Sequence, residues 1–139
     1  MAKTTIEWTW RRLTDGTLIR GYTFNPWWGC HKVSQECKHC YAEAIAARYG
    51  HQVWGPAATT ARRFFWEAHW QQPLHWNEQA AQHGHRRNVF CASMADVFED
   101  HPAVGPAREQ LWHLIWRRLC LTRQSCASSP VNPCWARWI

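Results

Sequence analysis

Three cysteines that lie within eleven residues are the part of this sequence best suited to chemistry. Cys30, Cys37 and Cys40 follow the spacing C-x6-C-x2-C. The last two can direct their sulfurs at one centre, and the loop before them can close the first cysteine over the same centre. Thiolates are soft ligands that suit zinc or iron–sulfur clusters. The spacing therefore predicts a metal or cluster site and leaves the identity of the metal open.

The chain has seven cysteines, and its sequence indicates a compartment that keeps them reduced. The first seven residues contain no apolar signal region. The sequence contains no run of about 18 apolar residues, which a membrane-spanning helix would need. We therefore expect a cytoplasmic protein without membrane contact. In the cytoplasm, clustered cysteines are more typical of metal ligands or catalytic groups than of disulfides.

Length and composition limit the fold and permit anionic partners. A chain of 139 residues predicts one domain with a core of moderate size. The net charge is +6, and the sequence contains twelve tryptophans. This charge permits nucleic acid as a partner, although a solvated, arginine-rich surface explains it equally well. The other partner that we consider is a protein encoded nearby, which would supply further strands to complete the fold.

The elements around the cysteines are a predicted β-ribbon before them and a predicted helix after them. Residues 4–12 and 18–24 flank an Asp-Gly turn, which is typical of a hairpin. Gly29 can take a positive φ and turn the backbone tightly into the first cysteine. Residues 41–49 are good helix formers, and Gly50 is a plausible stop.

The remaining sequence alternates helices with one buried strand, which predicts an α/β fold. We expect a loop over 51–65, a helix pattern over 65–84 that Pro73 starts or kinks, a strand over 89–92 and a helix over 105–118. Core packing is the favoured role for the aromatic face of the second helix, with base stacking as the alternative. That face comprises Trp66, Trp70, Leu74 and Trp76.

Two polar residues follow the predicted strand at its carboxyl end. Ser93 and Asp96 lie where α/β sheets and barrels bind their ligands. Asp96 has two interpretations, a cap for the next turn or a ligand. Cys91 also has two, a small buried core residue or a fourth metal ligand. The acidic triplet Glu99-Asp100-His101 is expected to be exposed, as a loop or a helix cap.

The last segment, residues 119–139, has neither a helix period nor a strand period. We therefore divide the chain into a domain over 1–118 and an unpatterned tail, which we expect to be disordered. Cys120, Cys126 and Cys134 are irregularly spaced in this tail and do not predict a second site.

Four segments of the chain carry a more specific pattern than the cysteine spacing alone. They are Thr5–Thr9, Phe24–Ser34, Cys37–Glu43 and Val89–Asp100. Together they resemble the phage Gp37/Gp68-like three-cysteine family (DUF5131 type), which is similar to radical S-adenosylmethionine enzymes. The resemblance covers about residues 4–116. Because the family pattern is lost near Trp116, we expect a truncated or frameshifted member, and whether it is an active enzyme stays open.

The resemblance implies the N-terminal portion of a (βα) partial barrel with a [4Fe–4S] cluster in its first βα loop. Cys30, Cys37 and Cys40 match the cluster-binding positions. Three thiolates leave one iron open, which in radical enzymes chelates S-adenosylmethionine, and reductive cleavage then yields a 5′-deoxyadenosyl radical. Tyr41, Ser93 and Asp96 are the implied cofactor-binding residues, by position.

A zinc-stabilised nucleic-acid-binding module is the alternative function. Structural zinc takes four ligands from cysteine and histidine, and His31, His39 or Cys91 are candidates for the fourth. The basic charge and the many tryptophans agree with nucleic-acid contact. The spacing alone favours zinc, whereas the resemblance favours the iron–sulfur cluster. The substrate is not indicated by the sequence.

Overall fold

Short strands and helices alternate along the chain in a mixed α/β fold. A computed structural model describes residues 4–116 and 136–138. The strands are β1 (Arg11–Arg12), β2 (Leu18–Ile19), β3 (Tyr22–Phe24), β4 (Trp27–Trp28), β5 (Arg63–Phe64), β6 (Arg87–Cys91) and β7 (Ala136–Trp138). The α-helices are α1 (Tyr41–Arg48), α2 (Glu67–Trp70), α3 (Gln72–His83) and α4 (Gly105–His113).

A parallel sheet with the order β3-β6-β7 forms the centre of the fold. Tyr22 lies opposite Val89 and Phe24 lies opposite Cys91, while Arg87 of β6 lies opposite Ala136. Parallel neighbours need a long crossover, and the crossover from β3 to β6 contains α1, α2 and α3. The carboxyl ends of β3 and β6 therefore meet at the same edge of the sheet.

The predicted N-terminal ribbon is present but shorter than expected. β1 and β2 pair as an antiparallel hairpin in which Arg11 lies opposite Ile19. Glu7–Thr9 form a 3-10 turn rather than a strand. Tyr22–Phe24 form a strand of the parallel sheet instead of continuing the ribbon. The side chains of Tyr22 and Phe24 are buried in the main core, which favours this pairing.

A second antiparallel pair supports the cysteine segment. Trp28 in β4 lies opposite Arg63 in β5. The prediction of an unbroken loop over 51–65 was therefore wrong at Arg63–Phe64. Local sequence gave little sign of this strand, since it contains two residues and depends on its pairing with β4.

The helices follow the sequence prediction closely. Pro73 lies in the first turn of α3, where a missing N–H costs nothing. Gly84 ends α3 in the left-handed conformation at φ +66°. Trp70 and Trp76 are buried as expected, but Trp66 is 89% exposed, because it lies just before α2 rather than on its buried face. α4 ends at His113, a π-helical turn continues over 114–116, and the last two residues of the predicted helix, 117–118, lie outside the described residues.

Two hydrophobic clusters organise the described residues. The main cluster packs the parallel sheet against α2, α3 and α4, and its buried members are Tyr22, Phe24, Trp27, Trp70, Trp76, Val89, Val104, Ala107, Leu111 and Leu114. The smaller cluster lies beside the cysteines and consists of Ala42, Ala46, Val53 and Met94. Partly buried Cys40 and Trp54 pack against the smaller cluster. This cluster therefore supports the cysteine segment.

The described residues contain no closed barrel. Most of the predicted disordered tail, 119–135 and Ile139, lies outside the described residues, as do Cys120, Cys126 and Cys134. Ala136–Trp138 form strand β7, in a segment for which the sequence predicted no strand. Across 4–116 and 136–138, no helix has both the length and the apolar character needed to cross a bilayer.

Candidate metal centre

The backbone around Cys30 is fixed by two neighbouring segments. Gly29 adopts φ +118° at the end of β4, as the sequence predicted, and its N–H donates to the carbonyl of Met94 at 3.0 Å. Cys30 forms a parallel bridge with Trp54, and its carbonyl accepts from the N–H of Gly55 at 3.1 Å. The first cysteine is therefore held between the carboxyl end of β6 and the loop after α1.

The other two cysteines lie on a tight turn that enters α1. Gln35–His39 form a 3-10 helix, and the N–H of Cys37 donates to the carbonyl of Ser34 at 3.2 Å. Cys40 is the N-cap of α1. All three thiols are free and partly exposed. Cys37 therefore lies within this turn, and Cys40 lies directly after it, where α1 begins.

The three cysteines share one cavity of about 130 Å³, which we call the cysteine cavity. Its walls come from the cysteine loop, the start of α1 and the segment after β6. The lining residues are Cys30, His31, Lys32, Cys37, Cys40, Tyr41, Ala42, Trp54, Ser93, Ala95 and Asp96. The structure therefore brings together all six residues that the sequence analysis singled out as cluster or cofactor ligands.

The segment after β6 is hydrogen-bonded to the start of α1 and to Asn25, the residue that follows β3. The hydroxyl of Tyr41 donates to the carbonyl of Ser93 at 2.8 Å. The hydroxyl of Ser93 donates to the side-chain oxygen of Asn25 at 3.1 Å. Asp96 is exposed, and its carboxylate accepts from the N–H of Phe98 at 2.9 Å, so its predicted capping role is confirmed. Its role as a ligand stays a prediction.

Asn25 links the carboxyl ends of the two parallel strands, and sequence analysis did not single it out. Its side-chain oxygen also accepts from the N–H of Met94 at 2.9 Å. We expect Asn25→Ala to lower the free energy of unfolding by about 1–3 kcal/mol, because it leaves these donors without a partner. Asn25→Asp, which keeps an acceptor, is the matched control and should lose less in a urea titration. Equal losses would contradict the linking role.

The thiols of the cavity differ in acidity. Burial raises the pKa of Cys30 to about 11, and the nearby carboxylates of Glu99 and Asp96 add to the shift. The hydroxyl of Ser34, helped by backbone N–H groups, lowers the pKa of Cys37 by hydrogen bonding to its sulfur. The pKa of Cys37 therefore lies below that of Cys30 in the metal-free protein.

This difference predicts the order in which the thiols react with iodoacetamide. The thiolate is the nucleophile, so alkylation of metal-free Cys37 should begin at lower pH than that of Cys30. Ser34→Ala removes the hydroxyl donor and should raise the pKa of Cys37, which lowers its alkylation rate near neutral pH. Peptide mapping by mass spectrometry across a pH series measures both rates. Faster alkylation of Cys30 than of Cys37 would contradict the assigned causes.

A buried ion pair next to the cavity was missed by the sequence analysis. The guanidinium of Arg62 pairs with the carboxylate of Glu99, and the two side chains are 0% and 4% exposed. Arg62 also donates to the carbonyls of Val53 at 3.2 Å, Thr60 at 2.9 Å and Gly55 at 3.0 Å. No local spacing connects Arg62 with Glu99, since they lie 37 residues apart.

The exposed triplet predicted at 99–101 was therefore wrong in two of its three positions. Glu99 and His101 are each 7% exposed, and Asp100 is exposed. Burial of the carboxylate follows from its pairing with Arg62. The expected capping role is confirmed for His101, whose side chain accepts from the N–H of Ala103.

The donor types of the cavity fit a thiolate-bound metal, although the ligands are not yet gathered. Within the described residues, no group of three His, Cys, Asp or Glu side chains is arranged to hold a metal ion. Instead, the sulfur of Cys30 donates to the carbonyl of His31 at 3.3 Å, and that of Cys37 lies 3.6 Å from the Ser34 hydroxyl. Ligation requires these sulfurs to leave their local hydrogen bonds and to approach one another.

The three candidates for a fourth ligand differ in position. His31 lines the cavity and is exposed. His39 is exposed and is not part of the lining. Cys91 packs against the main core, and burial raises its pKa to about 12. The core interpretation of Cys91 is therefore supported, and of the three candidates His31 is the one that lines the cavity.

Comparison with known proteins places the chain in a family. No curated protein and no solved structure matched it. The model of a family described as "Protein of unknown function (DUF5131)" matches residues 3–124, which includes the whole cysteine cavity and extends past Trp116. The chain therefore belongs to the DUF5131 family.

Proposed function

We propose that this chain binds a [4Fe–4S] cluster through Cys30, Cys37 and Cys40 and, like radical enzymes of the phage Gp37/Gp68 type, uses it to hold S-adenosylmethionine. One observation carries the proposal. The three thiols and the polar residues Ser93 and Asp96 line a single cavity at the carboxyl ends of adjacent parallel strands. Ligands of α/β sheets bind at that edge.

The number of thiols supports a cluster with one open iron. Most [4Fe–4S] clusters take four thiolates, whereas the cavity offers three. When bound, such a cluster supplies an iron that chelates S-adenosylmethionine and an electron for cleavage of its sulfonium. The protein's part is to bind and orient. The exposed carboxylate of Asp96 can accept from an ammonium group, and Tyr41 fixes the backbone of Ser93.

The arrangement of the strands supports the partial-barrel proposal. β3 and β6 are parallel neighbours joined through helices, which is the connection that repeats in (βα) barrels. The cysteine loop follows β3, and the segment with Ser93 and Asp96 follows β6. In this proposal β3 and β6 are adjacent strands of a partial barrel, and the cysteine cavity lies at the carboxyl ends of these strands.

Metal content after purification without oxygen tests the proposal. We expect about four iron and four sulfide per chain, with broad absorbance from thiolate-bound iron. Cys37→Ala should lose the iron. Cys91→Ala is the matched control, because Cys91 packs against the core outside the cavity and should leave the iron in place. One zinc without sulfide would overturn the cluster and identify a zinc site, in which case His31→Ala should release the metal.

A further inference from the structure

A group of aromatic rings in edge and tilted contact with Trp28, together with one arginine, lies near the cysteine cavity. We call it the ring surface, and it comprises Trp28, Tyr49, His51, Arg63 and Phe65. The guanidinium carbon of Arg63 lies 4.9 Å from the ring centroids of both Trp28 and Phe65. The Trp28 ring also lies 6.4 Å from the ring of Tyr49, 5.7 Å from that of His51 and 6.1 Å from that of Phe65.

These rings are not sealed inside the main core. Tyr49 is 70% exposed, and the other four residues are half-buried. Tyr49 is the C-cap of α1 and directly follows the last residue of that helix. Trp28 packs on one side against the smaller hydrophobic cluster, and the ring surface presents its aromatic groups to solvent chiefly through Tyr49.

Arg63 is held in place but has no acceptor for its N–H groups. Two aromatic rings fix the position of the guanidinium by cation–π stacking. No hydrogen bond or ion pair joins its side chain to any other group within 4–116 and 136–138. An arginine carries five N–H donors in a planar fork that matches a phosphate. This fork is therefore available to an anionic ligand.

We propose that the ring surface binds single-stranded nucleic acid. Bases stack on exposed aromatic faces, and arginine contacts the phosphates, in proteins that bind single strands without sequence preference. Residues 4–116 are nearly balanced in charge, with 11 basic and 10 acidic side chains, so the local cation of the ring surface, Arg63, favours an anionic ligand over a neutral one. Duplex is not the expected ligand, since its bases are already stacked on one another.

The ring surface adjoins the proposed cluster site. Trp28 lies two residues before Cys30, and Tyr49 lies at the far end of α1 from Tyr41. An α-helix of eight residues is about 12 Å long. The ring surface and the cysteine cavity are therefore neighbouring sites, with Tyr49 about one helix length from Tyr41 in the cavity lining. Binding at the ring surface requires no metal, so the inference does not depend on the proposed function.

Fluorescence anisotropy with a labelled oligothymidylate of about 16 nucleotides tests the inference on the full chain. We expect Arg63→Gln to weaken binding about ten-fold and Tyr49→Ala to do so by a similar factor. Arg11→Gln, an exposed arginine of the hairpin, removes the same charge and should change the affinity by less than about two-fold. Trp116→Ala is the matched aromatic control.

Three results would overturn the inference. They are an absence of binding at low salt, equal affinity for a duplex of the same length, and equal losses in Arg63→Gln and Arg11→Gln. Tyr49→Ala keeps the test valid if Arg63→Gln disturbs the β4–β5 pair, because Tyr49 is outside both hydrophobic clusters. Binding by the Cys37→Ala variant separates this surface from the metal site, since the variant should retain full affinity for the oligonucleotide.

Discussion

Gly29→Ala is expected to lower the free energy of unfolding by about 4 kcal/mol and to abolish metal binding. The residue adopts φ +118°, which side chains rarely tolerate. An added Cβ would overlap the carbonyl oxygen of Val53 and lie 2.7 Å from the Cδ of Arg62. Neither atom can move freely, because Val53 is buried in the smaller cluster and Arg62 is held by Glu99.

Gly84→Ala separates the clash from the cost of the backbone angle. Gly84 also has a positive φ, +66°, but a Cβ there would meet nothing within 4 Å. We expect it to lose about 1–2 kcal/mol, the ordinary cost of the left-handed conformation. Urea titrations followed by tryptophan fluorescence, together with iron counts, measure both effects. Equal losses for the two variants would show that the close approach at Gly29 has no part in the effect.

Glu99→Gln is expected to lower the free energy of unfolding by about 3–5 kcal/mol, because it leaves the buried charge of Arg62 without a counter-ion. The same guanidinium holds the carbonyls of Val53, Gly55 and Thr60. Because Gly55 also donates to the carbonyl of Cys30, we expect the variant to bind metal more weakly as well.

An exposed ion pair between the cysteine loop and α1 provides the comparison. Lys32 and Glu43 lie 2.5 Å apart, with side chains 41% and 35% exposed. Solvent screens such a pair, so Glu43→Gln should lose no more than about 1 kcal/mol. Chemical denaturation of the two variants under identical conditions makes the comparison. If Glu99→Gln lowers the free energy of unfolding as little as Glu43→Gln does, the buried Arg62–Glu99 pair does not stabilise the segment from Val53 to Thr60.

Much of the site could be predicted because its residues are close in sequence. Cys30, Cys37 and Cys40 lie on one loop, and the positive φ at Gly29 and the helix that begins at Tyr41 both follow from local rules. The strand over 89–92 also had a local signal in its apolar run, which placed Ser93 at its carboxyl end. These short-range patterns determine which residues can reach the cavity.

The features that could not be predicted depend on contacts between distant segments. Arg62 looked like one of many surface arginines until its pairing with Glu99 was seen. The switch of Tyr22–Phe24 from the ribbon to the parallel sheet depends on β6, which comes much later in the chain. Trp66 and Trp70 belong to one aromatic run, but only the tertiary fold decides that Trp66 faces solvent and Trp70 the core.

The pairing of β3 with β6 has a consequence for the order of assembly. The paired residues are 67 positions apart in the sequence, and ladders between such distant segments close slowly because their loop entropy is lost first. Cys30 follows β3 and Asp96 follows β6, so the cavity does not exist before this ladder closes. We therefore expect the proposed metal to enter an already folded chain. Until then the thiols of a newly synthesised chain stay open to oxidation.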